Sequence, residues 1–247
     1  MPATKSPRPC PAYPRRKMRF HLLNIAVRLM PTGWKYWSNS ILLKTSVADS
    51  EPITVPAPYR WIWAGPEEIA YIDRHPEATS PTAYTRRAAR GDRCLCIMQG
   101  ADVVGYQWVT RRNGCVMCGF SPKMEIILFP LAPDQAFSYD VYTYRNYRGR
   151  GVGTMLKKLL YQSMREEGAK EVLALVAPHN HASLRLQLRL GARPDRMVYS
   201  YRIRGWNKTF LGQAEDRQLT EWMERFKLSL ARARVVPTAP EESSLPK

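Results

Sequence analysis

The chain has 247 residues, enough for one large domain or a medium domain with appendages, and 45% hydrophobic with 11% aromatic content suits a globular core. A formal charge of +17 implies anionic partners: nucleic acid, acidic lipid or a phosphorylated ligand. No window holds the roughly 20 apolar residues of a spanning helix, no secretory leader opens the sequence, and the five cysteines are odd in number, so a reducing, cytoplasmic setting is expected.

Residues 1–17, MPATKSPRPCPAYPRRK, read as a disordered, basic, proline-rich arm, and Met1 and Met18 both stand as starts. FHLLNIAVRLM (20–30) is a short apolar segment broken by Pro31 and Gly33 and followed by Trp34, Tyr36 and Trp37. It packs on the core or lies on an anionic membrane, with Arg19, Arg28 and Lys35 toward the headgroups, so residues 18–45 are the candidate for peripheral contact at the inner membrane face. The single acid in residues 1–50 is Asp49, and the bland reading of such an arm is solubility. SEPITVPAP (50–58) links it to the main domain.

From there the pattern predicts a strand at 59–63, short helices at 65–75 and 81–91, and a hairpin of 94–99 with 103–109. The first helix opens with Pro66 and two acids. Strands follow at 124–129 and 136–144, the second feeding YRNYRGRGVGTMLKKLL (144–160). Val152, Met155, Leu156, Leu159 and Leu160 keep helical spacing there, with Lys157 and Lys158 on the outside. Gly168 ends that helix, EVLALVA (171–177) is a buried strand, and 196–204 alternates as another. Leu219, Trp222, Met223, Phe226 and Leu230 form one stripe of a closing helix. ASLRLQLRLGA (182–192) alternates like a strand yet is built of helix formers, so its local pattern leaves both open.

The glycine loop lacks the GxxxxGK[ST] of a mononucleotide P-loop, and Thr154 stands where GxGxxG needs its third glycine. What remains is Arg148, Gly151 and Gly153 as RxxGxG between a strand and a helix, followed by a strand, Asn180, Ser183 and Leu-Gly at 190–191. VVGYQWV adds a glycine after two β-branched residues. Over roughly 55–206 the chain resembles the GNAT superfamily of acyl-CoA N-acyltransferases, whose pyrophosphate signature is [QR]xxGx[GA]. The resemblance implies an α/β (α+β) fold: a mixed, mostly antiparallel central sheet flanked by helices, with the fourth and fifth core strands splayed. It also reads 182–192 as a helix. The expected organisation is a 1–50 arm, a 51–206 acyltransferase domain, a 207–235 C-terminal amphipathic helix and a 236–247 tail.

The same resemblance implies transfer of an acyl group, acetyl by the family's default, from acyl-CoA directly to an amine, with no metal. Main chain and side chains of Arg148, Gly149, Arg150, Gly151, Val152, Gly153 and Thr154 would hold the pyrophosphate, with Lys157 or Lys158 at the 3′-phosphate. Val141, Tyr142 and Thr143 would bond the pantetheine arm as an added strand, with Asn180 and Ser183 beside it. Asp140 and Glu125 are the candidate bases. For the acid, the family's tyrosine position is Gln187, which donates no proton, leaving Tyr142, Tyr144, Tyr147, His179, His181 or solvent. The run EIxLxPLxPxxAxxYDVYT loosely resembles members in cell-surface and polysaccharide contexts and suggests an envelope precursor as acceptor. Three alternatives stand beside this reading: a CoA-binding pseudoenzyme, a basic nucleic-acid-binding protein lacking a recognised module, and a zinc site of Cys94, Cys96, Cys115 and Cys118.

Overall fold

The computed structural model describes residues 35–48, 50–77, 83–112, 116–118, 125–127, 131–203, 206–212, 219–221, 223, 224 and 226. Strands β1 (Lys35–Ser46), β2 (Tyr59–Trp63), β3 (Arg93–Gln99), β4 (Asp102–Thr110), β7 (Gln135–Thr143), β8 (Glu171–Val176), β9 (Arg193–Ile203) and β10 (Trp206–Leu211) build one sheet in the order β10-β9-β1-β8-β7-β4-β3-β2. Every neighbouring pair is antiparallel except β7 with β8. Among the described residues the short strands β5 (Val116–Cys118) and β6 (Glu125–Ile127) pair with each other in a separate two-stranded sheet. The helices are α1 (Pro66–Arg74), α2 (Ala83–Ala89), α3 (Val152–Glu166) and α4 (His181–Arg189), with helical residues described also at 219–221, 223, 224 and 226.

Both faces of the sheet are covered, which is why the central strands read as continuous apolar runs rather than alternating ones. On β3 the split is residue by residue. Cys94, Cys96 and Met98 turn toward Ile69 and Ile72 of α1 and Tyr84 of α2, while Leu95 and Ile97 meet Val152, Met155, Leu156 and Leu159 of α3. Helix α4 packs Leu184 with Ile41, Leu43 and Met197 on that second face. Its start explains why the alternating sequence folds as a helix: the Asn180 side chain accepts a hydrogen bond from Ser183 N at 3.2 Å, an N-cap that strand pairing could not use.

Two elements differ from the sequence expectation. Lys35–Ser46, assigned to the arm, is a central strand: Ile41, Leu42 and Leu43 are buried and pair with both β8 and β9. The 1–50 unit therefore ends before residue 35, the part of the proposed membrane segment at 35–45 lies in the sheet, and residues 1–34 fall outside the described residues. Residues 207–211, expected in a C-terminal helix, belong instead to the edge strand Trp206–Leu211 that folds back on β9. The expected closing helix is described at 219–221, 223, 224 and 226, where Leu219 and Phe226 are buried in the α4 cluster; residues 227–247 lie outside the described residues. No described helix is long and apolar enough to cross a membrane.

Candidate active site

The parallel ladder between β7 and β8 is short. It pairs Gln135–Ser138 with Glu171–Ala174 and stops, although β7 runs on to Thr143 and β8 to Val176. Beyond Ser138 the strands splay. The cause is visible on the other edge of β7, where the register with β4 shifts by one residue, so that Asp140 and Val141 together stand opposite Gln107. Asp140 takes φ 48°, a left-handed conformation that aspartate tolerates better than most residues. This bulge bends β7 away from β8 and frees its backbone for another partner.

The gap opens toward the glycine loop. A single 3₁₀ turn (Arg145–Tyr147) is followed by Arg148, Gly149 and Arg150, then by Gly151 as the N-cap of α3. Gly149 and Gly151 take φ 77° and 79°, which a side chain would strain. The first amides of α3 have no partner within the helix, and Arg145, Arg148 and Arg150 are exposed around them. Bare amides, a helix N-terminus and three guanidinium groups are groups that could hold an anion. Arg148 donates from Nε to the Thr143 carbonyl at 3.1 Å and from Nη2 to the Tyr142 hydroxyl at 3.2 Å, so it lies along the strand edge facing the gap. Gly105 of β4 secures the junction from below, since a Cβ there would come within 2.9 Å of both the Tyr142 carbonyl and the Val152 side chain.

Of the proposed binding residues, 141–143 and 148–154 thus follow one another along the splayed strand, the loop and the helix start, and Asn180 and Ser183 share the α4 cap. The catalytic candidates are scattered. The Asp140 carboxylate is ion-paired with the buried Arg87 of α2, whose guanidinium lies over the rings of Tyr84, Trp108 and Tyr139 at 4.9, 5.5 and 5.2 Å. Glu125, expected one strand over, lies on β6 in the separate two-stranded sheet, away from the β7 ladder. Tyr147 is half-buried on the loop with the Arg150 guanidinium 5.6 Å from its ring centre. Tyr144 is buried, its ring stacked on His75 at 3.7 Å; burial and neighbouring Tyr71 and Tyr84 push its hydroxyl well above the ordinary tyrosine range. Gln187 is buried on α4.

Three residues that local sequence patterns missed or misplaced lie beside these candidates. Arg87 is one. Glu77, just after α1, accepts from the Tyr142 hydroxyl at 2.8 Å and from Arg145 N at 3.3 Å. Desolvation raises its pKa, but those hydrogen bonds outweigh it and leave the carboxyl below its ordinary value. Tyr142 is shifted the opposite way, by burial first and then by Glu77. Lys157 is the third. It was expected outside at a phosphate, yet it is 1% exposed and donates to Ser138 Oγ at 2.9 Å. The spacing 157–161–164, with Tyr161 and Met164 both buried, marks a second buried stripe on α3 that could have revealed it.

The zinc reading meets a different arrangement. Cys94 and Cys96 are buried side by side on β3 with sulfurs 3.9 Å apart, Cys118 lies on β5 in the other sheet, and Cys115 is outside the described residues. Among the described residues no three His, Cys, Asp or Glu side chains converge.

Comparison with known proteins bears on the same region. No curated protein matches the sequence. Among solved structures, a tandem GNAT protein from the clavulanic acid biosynthesis pathway superposes with a TM-score of 0.51 at 21% identity, covering 81% of this chain and 62% of that one. A putative GNAT-family acetyltransferase from Novosphingobium aromaticivorans gives 0.50 at 18% identity, over 75% and 70% of the two chains. A glucosamine N-acetyltransferase region of a fungal multi-domain β-N-acetylglucosaminidase gives 0.53 at 15% identity, over 84% of this chain and 25% of that one. The chain spans less than two thirds of two of these three proteins, and at such identities they establish the fold alone. The family model described as "Acetyltransferase (GNAT) family" matches residues 56–192, from the start of β2 through the splayed strands and glycine loop to the end of α4, and this chain belongs to that family, whose members transfer an acyl group from acyl-CoA to an amine.

Proposed function

We propose that the protein binds acyl-CoA along β7 and the glycine loop and transfers its acyl group directly to an amine. The observation that carries this reading is the continuity of the splay with the helix N-terminus. A gap starting above Ser138 runs beside 139–143, about 17 Å at strand rise, and ends on Gly149–Thr154. An extended pantetheine arm would lie in it as an added strand on Val141, Tyr142 and Thr143, with Asn180 and Ser183 across from it. Its pyrophosphate would meet the amides of Gly151, Val152, Gly153 and Thr154 and the guanidinium groups of Arg148 and Arg150.

In the step itself the neutral amine nitrogen attacks the thioester carbonyl, a C–N bond forms and the C–S bond breaks. The proton lost by nitrogen ends on the leaving sulfur. A backbone N–H at the β7 bulge is the proposed donor to the developing oxyanion. Asp140 stands at that bulge as the proposed base. Tyr147 is the proposed acid, because the Tyr142 hydroxyl already donates to Glu77 and Gln187 has no proton to give. Glu125 stays a candidate base only for an acceptor reaching the β5–β6 sheet. The resemblance of the 125–143 run supports an amine on an envelope or polysaccharide precursor as acceptor, with acetyl the default acyl group.

Calorimetry with CoA and acetyl-CoA tests this directly. Binding in the micromolar range is expected for the wild type, and Gly151→Val, which forces a β-branched residue into φ 79°, should abolish it. Absence of heat from the folded wild type would end the reading.

A further inference from the structure

The apex of the splay carries a buried polar trio that the transfer chemistry does not use. Ser138 is the last residue of β7 paired to β8, so its side chain sits where the gap begins. Its Oγ accepts from Lys157 Nζ at 2.9 Å and from Gln107 Nε2 at 2.8 Å. All three residues are at most 1% exposed. Their hydrogen-bonding capacity is only partly used among the described residues: the Gln107 carbonyl oxygen has no partner there, and a lysine ammonium has three donors where one bond is made. Lys157 forms no salt bridge among the described residues. A cationic side chain at this depth normally faces a carboxylate, and here the opposite charge is missing.

Direction supplies the rest. Phosphates at the glycine loop put the thioester toward Ser138, because the arm runs from the C-terminal end of the open part of β7 to its start. In that orientation a group extending past the thioester carbonyl would run toward the trio. We propose that Lys157, Ser138 and Gln107 are specificity-determining residues of the acyl-donor site, selecting an acyl group that ends in a carboxylate, such as a malonyl or succinyl thioester, over acetyl. This rests on the acyl-CoA reading above and replaces its default donor. The carboxylate supplies the counter-charge that keeps Lys157 protonated, and Ser138 and the Gln107 amide offer it further hydrogen bonds. The chemistry is unchanged: the amine displaces CoA thiol, and the product is an amide with a free terminal carboxylate.

Calorimetry with CoA, acetyl-CoA, malonyl-CoA and succinyl-CoA separates the possibilities. Expected is binding of malonyl- or succinyl-CoA about tenfold or more tighter than acetyl-CoA in the wild type, loss of that preference in Lys157→Met, and its reduction in Ser138→Ala, with affinity for CoA itself kept in both. A purely structural trio would leave the ratio between donors untouched. Equal wild-type affinity for acetyl-CoA and both carboxylated thioesters overturns the inference, as does a preference that survives Lys157→Met. Failure of CoA itself to bind would sink the acyl-CoA reading instead, so the two failures are told apart.

Discussion

At the level of single residues, two buried charges set the limits of the site. Burial alone brings Lys157 down to about 7, and its hydrogen-bonding partners, Ser138 and Gln107, are neutral. An unfolded lysine titrates near 10.4, so between about pH 7 and 10.4 the unfolded chain holds a proton that the folded chain has lost. Stability should therefore rise with pH across that window. Lys157→Met removes the penalty of a buried charge: the variant should be more stable than wild type near pH 6.5, on the order of 3–5 kcal/mol, with the advantage shrinking toward pH 10. Urea titrations at four pH values check the sign, and a pH-independent difference would refute it. Arg87 and Asp140 behave oppositely, because each is the other's counter-charge. Asp140→Asn keeps the left-handed backbone but takes the Asp140 counter-charge away from the buried guanidinium, a loss of about 3 kcal/mol. Adding Arg87→Met should recover much of that stability. If the stable double variant also recovers acyl transfer, Asp140 is a bulge anchor and not the base.

Among the elements, the unit β7–loop–α3 matters most, and it is held in shape by what lies beneath. Gly105 lets β4 approach close enough for the Tyr142 carbonyl and Val152 to sit where they do. Gly105→Ala places a methyl 2.9 Å from a backbone oxygen, a contact that forces the strand or the helix start to shift. The expected cost is about 1–3 kcal/mol, together with weakened CoA binding because the same atoms border the gap. Gly153→Ala serves as the contrast. Its Cβ would meet the Leu186 side chain at 3.4 Å and Thr143 Oγ1 at 3.9 Å, both ordinary contacts, so stability should hold while ligand affinity falls. Thermal melts read alongside CoA titrations distinguish the two, and equal effects on both quantities in both variants would argue against the assignment.

For the molecule as a whole, the central position of β1 changes what a truncation means. Lys35–Ser46 contributes ladders to β8 and β9 and buries Ile41, Leu42 and Leu43, so removing residues 1–46 splits the sheet between β8 and β9. Deleting residues 1–46 is expected to abolish cooperative unfolding by circular dichroism. Any test of membrane contact by the basic arm has to keep the chain from residue 35 onward. A well-folded product lacking residues 1–46 would contradict the topology.

The sequence by itself determined the alternation of strands and helices from residue 59 to 203, the short β5 excepted, and the place of the glycine loop, because those depend on local spacing, glycine and caps. Even the ambiguous stretch 182–192 carried its answer in Asn180 and Ser183, three residues apart. Only the tertiary structure decided that 35–46 is an inner strand, that Trp206–Leu211 pairs rather than coils, that Glu125 belongs to a separate sheet, and that Arg87, Glu77 and Lys157 reach the site. Each of these depends on partners distant along the chain: Arg87 is an ordinary surface residue by local pattern, and the stripe that Lys157 shares with Tyr161 and Met164 is buried only when helices close over a sheet assembled from strands that local spacing cannot order.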